Sequence, residues 1–254
     1  MLNTHKTIPV GISNRHFHIS QTDLEILFGR GYRLTNFRDI SQRGQFAANE
    51  TLDVIGPAGK LENIRIVGPT RARTQLEIAA SDAFHLGISP PVRYSGDLDG
   101  STGATLVGPK GRLEITEGVI IPIRHIHLCP ADAKAFGVFD GARVIVAPTN
   151  SPQFSTKNEP RRIIFDNVLI RVNPKFVLDF HIDIDEANAS SLKNGDLVKI
   201  TGFSELNKFV PKVGLITEND VRRAILAKSK IVLGPGTRLT PAAQDLGREH
   251  GVFV

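Results

Sequence analysis

Short runs of apolar residues, each closed by glycine, proline or a polar cluster, set the rhythm of this chain. Ile8–Ile12 is the first strand signal, and Ser20 then opens a short helix with Asp23 at the reciprocal capping position and Gly29 past its end. Thr51–Ile55 and Ile64–Val67 are two further strands, separated by Gly56-Pro57-Ala58-Gly59-Lys60. A similar pair flanks Gly108-Pro109-Lys110-Gly111-Arg112. Such pieces resemble phosphate loops, but proline presets one turn position and glycine supplies positive φ, so both are expected to be hairpin turns.

The order then repeats. Val119–Ile123 is apolar, and Pro130–Phe136 is a helix signal ending at Gly137. Strands are expected at Arg143–Ala147, Ile163–Phe165, Val168–Val172 and Leu197–Thr201, with Phe176–Ile184 extended and a helix from Glu186 to Leu192. Asn150–Arg162, polar and carrying Pro152 and Pro160, reads as an exposed loop. The tail has a capping-box start at Thr217 for a helix to Lys228, an apolar stretch Ile231–Leu233 before Gly234-Pro235-Gly236, and a second helix from Pro241 to Gly247. Short strands, short helices and glycine-rich turns predict a mainly β chain. Two small β-barrel domains with short capping helices are expected, over 1–118 and 119–210, followed by a small helical C-terminal appendix over 211–254. The lack of long helical patterns argues against a doubly wound or (β/α)8 fold.

Within that repeat sits a repeated tetrapeptide, Arg15-His16-Phe17-His18 and Arg124-His125-Ile126-His127. Alternation in a strand puts both imidazoles of each copy on one face. One such pair is weak evidence, but duplication with the same preceding arginine favours a metal centre. Imidazole suits zinc, and catalytic zinc keeps a position open for water or substrate. His181, and Glu77 from the strand Thr74–Ile78, are candidate further ligands. His5, His85 and His250 have no such context. Arg71 and Arg73 follow Gly68-Pro69, where a guanidinium suits an oxyanion and equally suits a surface arginine flanking a turn. Cys129 is followed at once by Pro130 and reads as an inert thiol.

Charge narrows the partners. A formal net charge of +5 and a pI near 9.5 favour an anionic partner. The bases are dispersed, without an aromatic-interleaved basic run, so a polyanionic small ligand is preferred to nucleic acid. The single cysteine permits no internal disulfide and suits a reducing compartment. No apolar run is long enough to span a bilayer and the first residues lack a secretory signal, so the expected place is the cytosol, with no membrane association.

At these residues the chain resembles the PduL-type phosphotransacylases, the phosphate propanoyltransferases of bacterial microcompartments. The matching stretches include Pro9–Ser20, Gly44–Ala48, Gly68–Arg71 with Thr74–Glu77, Pro91–Arg93 with Ser95–Leu98, Ile120–His127 and His181–Asn188. The resemblance implies two β-barrels with two Zn2+ ions between them, one on His16, His18 and Glu77, the other on His125, His127 and His181. It assigns phosphate binding to Arg71 and coenzyme A contacts to Ser13, Arg65 and Asn188. The implied reaction interconverts acyl-CoA plus phosphate with acyl phosphate plus CoA, of the propionyl or acetyl class. The implied place is the bacterial cytoplasm or a microcompartment lumen, with shell or core enzymes as partners; the oligomeric state stays open, a homo-oligomer among the options. Family members often carry an N-terminal encapsulation peptide, and here the first strand follows almost at once. Leu239–Ala243 resembles the tails of other microcompartment-associated enzymes, which makes the C-terminal segment the expected place for targeting or assembly. Two alternatives stay open: a zinc-dependent hydrolase of thioesters or phosphoesters using the same histidines on water, and a non-enzymatic microcompartment structural protein.

Overall fold

The computed structural model of the chain describes residues 2–149, 162–204, 209–212, 214–226, 229–234 and 236–253. The loop expected over Asn150–Arg162, save Arg162 itself, lies outside the described residues, as do Lys228 of the expected helix end and Pro235 of the expected turn.

Among the described residues, eighteen strands and six short helices follow one another. The first half holds β1 (Ile8–Ser13), β2 (His16–His18), α1 (Gln21–Phe28), β3 (Asn36–Asp39), β4 (Phe46–Ile55), β5 (Lys60–Gly68), β6 (Gln75–Glu77), α2 (Ala80–Leu86), β7 (Val92–Arg93), β8 (Thr102–Val107) and β9 (Arg112–Pro122). The second half holds β10 (His125–Leu128), α3 (Pro130–Phe136), β11 (Arg143–Pro148), β12 (Phe165–Val172), β13 (Asp179–Asp183), α4 (Ile184–Ser190) and β14 (Leu197–Phe203). Where two strands were expected, at Ile163–Phe165 and Val168–Val172, the single strand β12 runs from Phe165 to Val172, and Ile163 and Ile164 lie outside it.

These strands close into two six-stranded barrels. One runs β4-β5-β2-β6-β9-β8 and returns to β4, with β3 hanging from β4 and β7 from the far end of β9. The other runs β1-β13-β10-β12-β11-β14. Its first member is the strand that opens the chain, so the barrels are not the two halves of the sequence cut at residue 118. β1 lies among strands from beyond residue 124, pairing parallel with β13 and antiparallel with β14. Conversely, β9 reaches past residue 118 and closes the barrel of β2 and β4.

Alternation fills each barrel. On β4, Leu52 and Val54 point inward between more exposed neighbours, and they join Phe17, Ile66 and Leu76 in one core. Ile8 and Val10 of β1 join Val144, Ile170 and Phe180 in the other. Both Gly-Pro hairpins form as expected, Gly56 N–H to Gly59 C=O and Gly108 N–H to Gly111 C=O, each at 2.9 Å. Their amides also finish helices: Ala58 N–H donates to Leu86 C=O at the end of α2, and Lys110 N–H to Leu27 C=O near the end of α1. Ser20 caps α1 by accepting from Asp23 N–H at 3.1 Å.

The C-terminal appendix, expected to be helical, adds four short strands to its helices. β15 (Phe209–Lys212) pairs parallel with β17 (Lys230–Leu233), and β16 (Leu215–Ile216) with β18 (Arg238–Leu239). α5 (Glu218–Leu226) and α6 (Pro241–Glu249) pack on them around Ile216, Val221, Ile231, Ala243 and Val252, a core separate from both barrels.

Phe180 is fully buried and stacks edge-on against Phe165 at 5.4 Å between centroids. Phe180→Ala is expected to destabilise the fold by about 3–5 kcal/mol. Urea unfolding checks it, and a loss under 1 kcal/mol would contradict this packing.

Candidate active site

The chain passes from one barrel to the other at two short links, and both carry the duplicated motif. Asn14-Arg15 joins β1 to β2, and Ile123-Arg124 joins β9 to β10. The links are built alike. His16 Nδ1 donates to Asn14 C=O and His125 Nδ1 to Ile123 C=O, each at 2.8 Å. Arg15 pairs with Asp82 at 3.0 Å, and Arg124 with Glu186 at 2.7 Å. Those two acids occupy the same place in α2 and α4, the third position of the first turn. The third ligand candidates also correspond: Glu77 on β6 stands opposite His16, and His181 on β13 opposite His125.

The arrangement gathers two triads, His16/His18/Glu77 and His125/His127/His181. Within each, the donor atoms lie within 4.8 Å of one another. Hydrogen bonds fix the tautomers. A carbonyl only accepts, so His16, His125 and His18, the last bonded to Val67 C=O at 3.2 Å, carry their protons on Nδ1. Their Nε2 lone pairs are therefore free. His16 Nε2 and His18 Nε2 stand 3.2 Å apart, with Glu77 oxygens 3.7 and 4.0 Å from them. Two lone pairs and a carboxylate facing one point repel unless a cation or proton lies between them, and the set suits zinc. In the other triad, His127 Nδ1 is buried without a hydrogen-bond partner among the described residues, as an atom waiting for a cation would be.

Burial keeps His18, His125 and His127 neutral. It pushes His125 down to about 3 and His127 to about 2, assisted by neighbouring imidazoles, and holds His18 well below its ordinary value. Neutral imidazole is the form that binds metal.

Both triads face one cavity of about 870 Å³ between the barrels, within the range of small-molecule sites. The loop after β3 closes part of it: Gln42 bonds Val177 through both ends of its amide, each at 3.2 Å. Arg71 reaches this cavity and donates to Ser95 Oγ at 3.2 Å. Much of its surface is open to solvent, yet its guanidinium is crowded enough that desolvation lowers its pKa, opposed by Glu77. Arg73 turns away to an exposed pair with Asp99 and Glu117.

Arg171 was not foreseen. It sits on β12 opposite His127, lies over the Phe176 ring at 5.6 Å and lines the same cavity. Burial lowers its pKa too, and among the described residues neither Arg71 nor Arg171 forms an ion pair. Two unpaired guanidiniums beside two triads have the chemistry that suits an anion.

Of the anticipated coenzyme contacts, Ser13 and Arg65 line the cavity, although Arg65 is engaged by Ala48 C=O and the Phe37 ring. Asn188 does not line it and is exposed on α4. Cys129 caps α3 with its thiol on Asp132 at 3.0 Å and does not line the cavity.

The sequence model of the phosphate propanoyltransferases matches residues 9–193, a span that holds both triads, Arg71 and Arg171. The chain belongs to this family. It is therefore an acyltransferase. A protein of Thermotoga maritima named phosphate propanoyltransferase is 50% identical over 205 residues, 80% of this chain and 93% of that protein. Proteins of the same name from Priestia megaterium and Shewanella putrefaciens are 48% and 47% identical, over 78% and 76% of this chain and 88% and 87% of theirs. Among the described residues no helix is long and apolar enough to cross a membrane.

The depressed histidines set a pH dependence. Unfolded, they take up protons near pH 6.5, whereas His125 and His127 refuse them until about pH 3 or below. Below 6.5 the unfolded state thus binds more protons, and stability falls as pH drops. Metal-free protein should show a lower urea midpoint at pH 5.5 than at pH 7.5; equal midpoints would contradict this.

Proposed function

We propose that the chain interconverts acyl-CoA plus phosphate with acyl phosphate plus coenzyme A at a di-zinc centre. His16, His18 and Glu77 would hold one ion, and His125, His127 and His181 the other. The observation that carries the proposal is the pair of facing triads opening on one cavity together with two unpaired arginines. Zinc there would supply Lewis-acid polarisation of the thioester carbonyl and a soft site for the departing thiolate.

The chain's own residues supply the rest. Arg71 and Arg171 hold phosphate as a dianion, and Ser95 steadies Arg71. A phosphate oxygen attacks the thioester carbon, a C–O bond forms, the C–S bond breaks, and coenzyme A leaves as thiolate. Direct transfer needs no acyl-enzyme, in keeping with a Cys129 thiol outside the cavity. Holding both substrates side by side converts a bimolecular encounter into a positioned one, and the arginines offset the repulsion between the two anions. Ser13 and Arg65, which line the cavity, would contact the near part of coenzyme A, and Asn188, which does not line it, would contact an outer part. The relatives' name points to propionyl as the acyl group, with acetyl in the same class. The resemblance supports a microcompartment location, with contacts to shell or core enzymes through residues 211–254.

Guanidiniums aimed at the cavity favour transfer to phosphate over hydrolysis. Thiol release from propionyl-CoA should therefore require phosphate, and chelation should abolish it. Arg71→Ala should raise the KM for phosphate about 10- to 100-fold, the range for a charge-assisted hydrogen bond of ~1.5–3 kcal/mol. Release independent of phosphate would establish hydrolysis instead.

A further inference from the structure

Two residues before each third ligand stands a polar side chain that touches it. Gln75 donates through Nε2 to Glu77 Oε1, and Asp179 accepts from His181 Nε2 at 2.8 Å. The two positions correspond, since Gln75 stands opposite His18 and Asp179 opposite His127. The chemistry is fitted to each ligand: an amide N–H for a carboxylate, a carboxylate for an imidazole N–H. Such agreement across a duplicated unit argues that the contact matters at both places.

Asp179 is also seated with care. It is buried, and it accepts a second bond from Ser41 Oγ at 3.1 Å. Gly11 of β1 stands opposite His181, and a Cβ on it would lie 2.6 Å from both Asp179 carboxylate oxygens. What the glycine supplies there is room for the carboxylate in its present seat, since its φ is not in the left-handed region. With the carboxylate accepting from Nε2–H, the His181 lone pair lies on Nδ1.

The geometry points to Asp179 as a positioning residue that fixes the tautomer and ring orientation of His181, leaving Nδ1 as the ligand atom of the second triad. This rests on the metal reading of the triads. Outer partners of this kind orient a ligating imidazole and raise its basicity, and losing one weakens metal binding by about 10- to 100-fold.

Cobalt(II) titration of chelator-treated full-length protein, followed by visible absorption, separates the two sites. Wild-type protein is expected to bind two ions per chain, and His181→Ala identifies the second triad by losing one. Asp179→Ala should weaken that same ion by about 10- to 100-fold and leave the other unchanged. Asp179→Asn, whose amide oxygen still accepts, should recover much of the affinity. Gly11→Ala keeps the carboxylate but forces it from its seat, so it should weaken the same ion, and it carries the test if Asp179→Ala does not fold. Two ions bound with wild-type affinity by Asp179→Ala or Gly11→Ala would overturn the inference, as would equal weakening at both sites. Wild-type protein that takes up no cobalt would overturn the metal reading beneath it.

Discussion

Everything at the centre of this molecule depends on how the chain is held where it crosses between the barrels. At each crossing an arginine reaches to a carboxylate on the first turn of a helix, Arg15 to Asp82 and Arg124 to Glu186. The acids need those partners: Asp82 is buried, and burial raises the pKa of Glu186 against the pull of Arg124. Each helix follows directly on the strand that carries the third ligand candidate. One ion pair therefore ties a histidine pair to its Glu77 or His181, and the same contact made twice brings the two triads to one cavity.

The duplication is close in backbone and unequal in chemistry. His16 and His125 share the same bond to a carbonyl two residues back, and Gly87 and Ser191 end α2 and α4 in the same left-handed conformation. The side chains diverge at the positions that face substrate. Glu77 is matched by His181, and Arg171, opposite His127, by Val67, the next position after the parallel pairs His16–Arg65 and Phe17–Ile66. One triad thus carries a carboxylate where the other carries an imidazole, which gives the two sides of one cavity different charge.

Much of the site was legible because its residues are local. The Arg-His-x-His repeat, the capping signals at Ser20 and Thr217 and the Gly-Pro turns all act within a few residues of themselves. Arg171, Asp179 and Gly11 were not legible, because each acquires meaning only from a strand paired across the barrel. Nothing near Arg171 marks it until β12 lies beside β10, and Gly11 is ordinary until β1 lies beside β13. The placement of β1 was missed for the same reason. The short run Ile8–Ile12 fits either barrel, and closure with β14 decides between them. In the C-terminal appendix the short strands escaped notice because two-residue pairings such as Leu215 with Arg238 leave no periodic trace.

The exchange of β1 also dictates an order of assembly. During synthesis Ile8–Ser13 leaves the ribosome early, yet both of its neighbours, β13 and β14, lie beyond residue 178. At about 5–20 residues per second, the strand waits roughly 10–40 s with Ile8 and Val10 uncovered. The barrel of β2, β4, β5, β6, β8 and β9 has all its members by Pro122 and can close during that interval. The earlier barrel can therefore serve as a template from which β1 hangs until the later one is built around it.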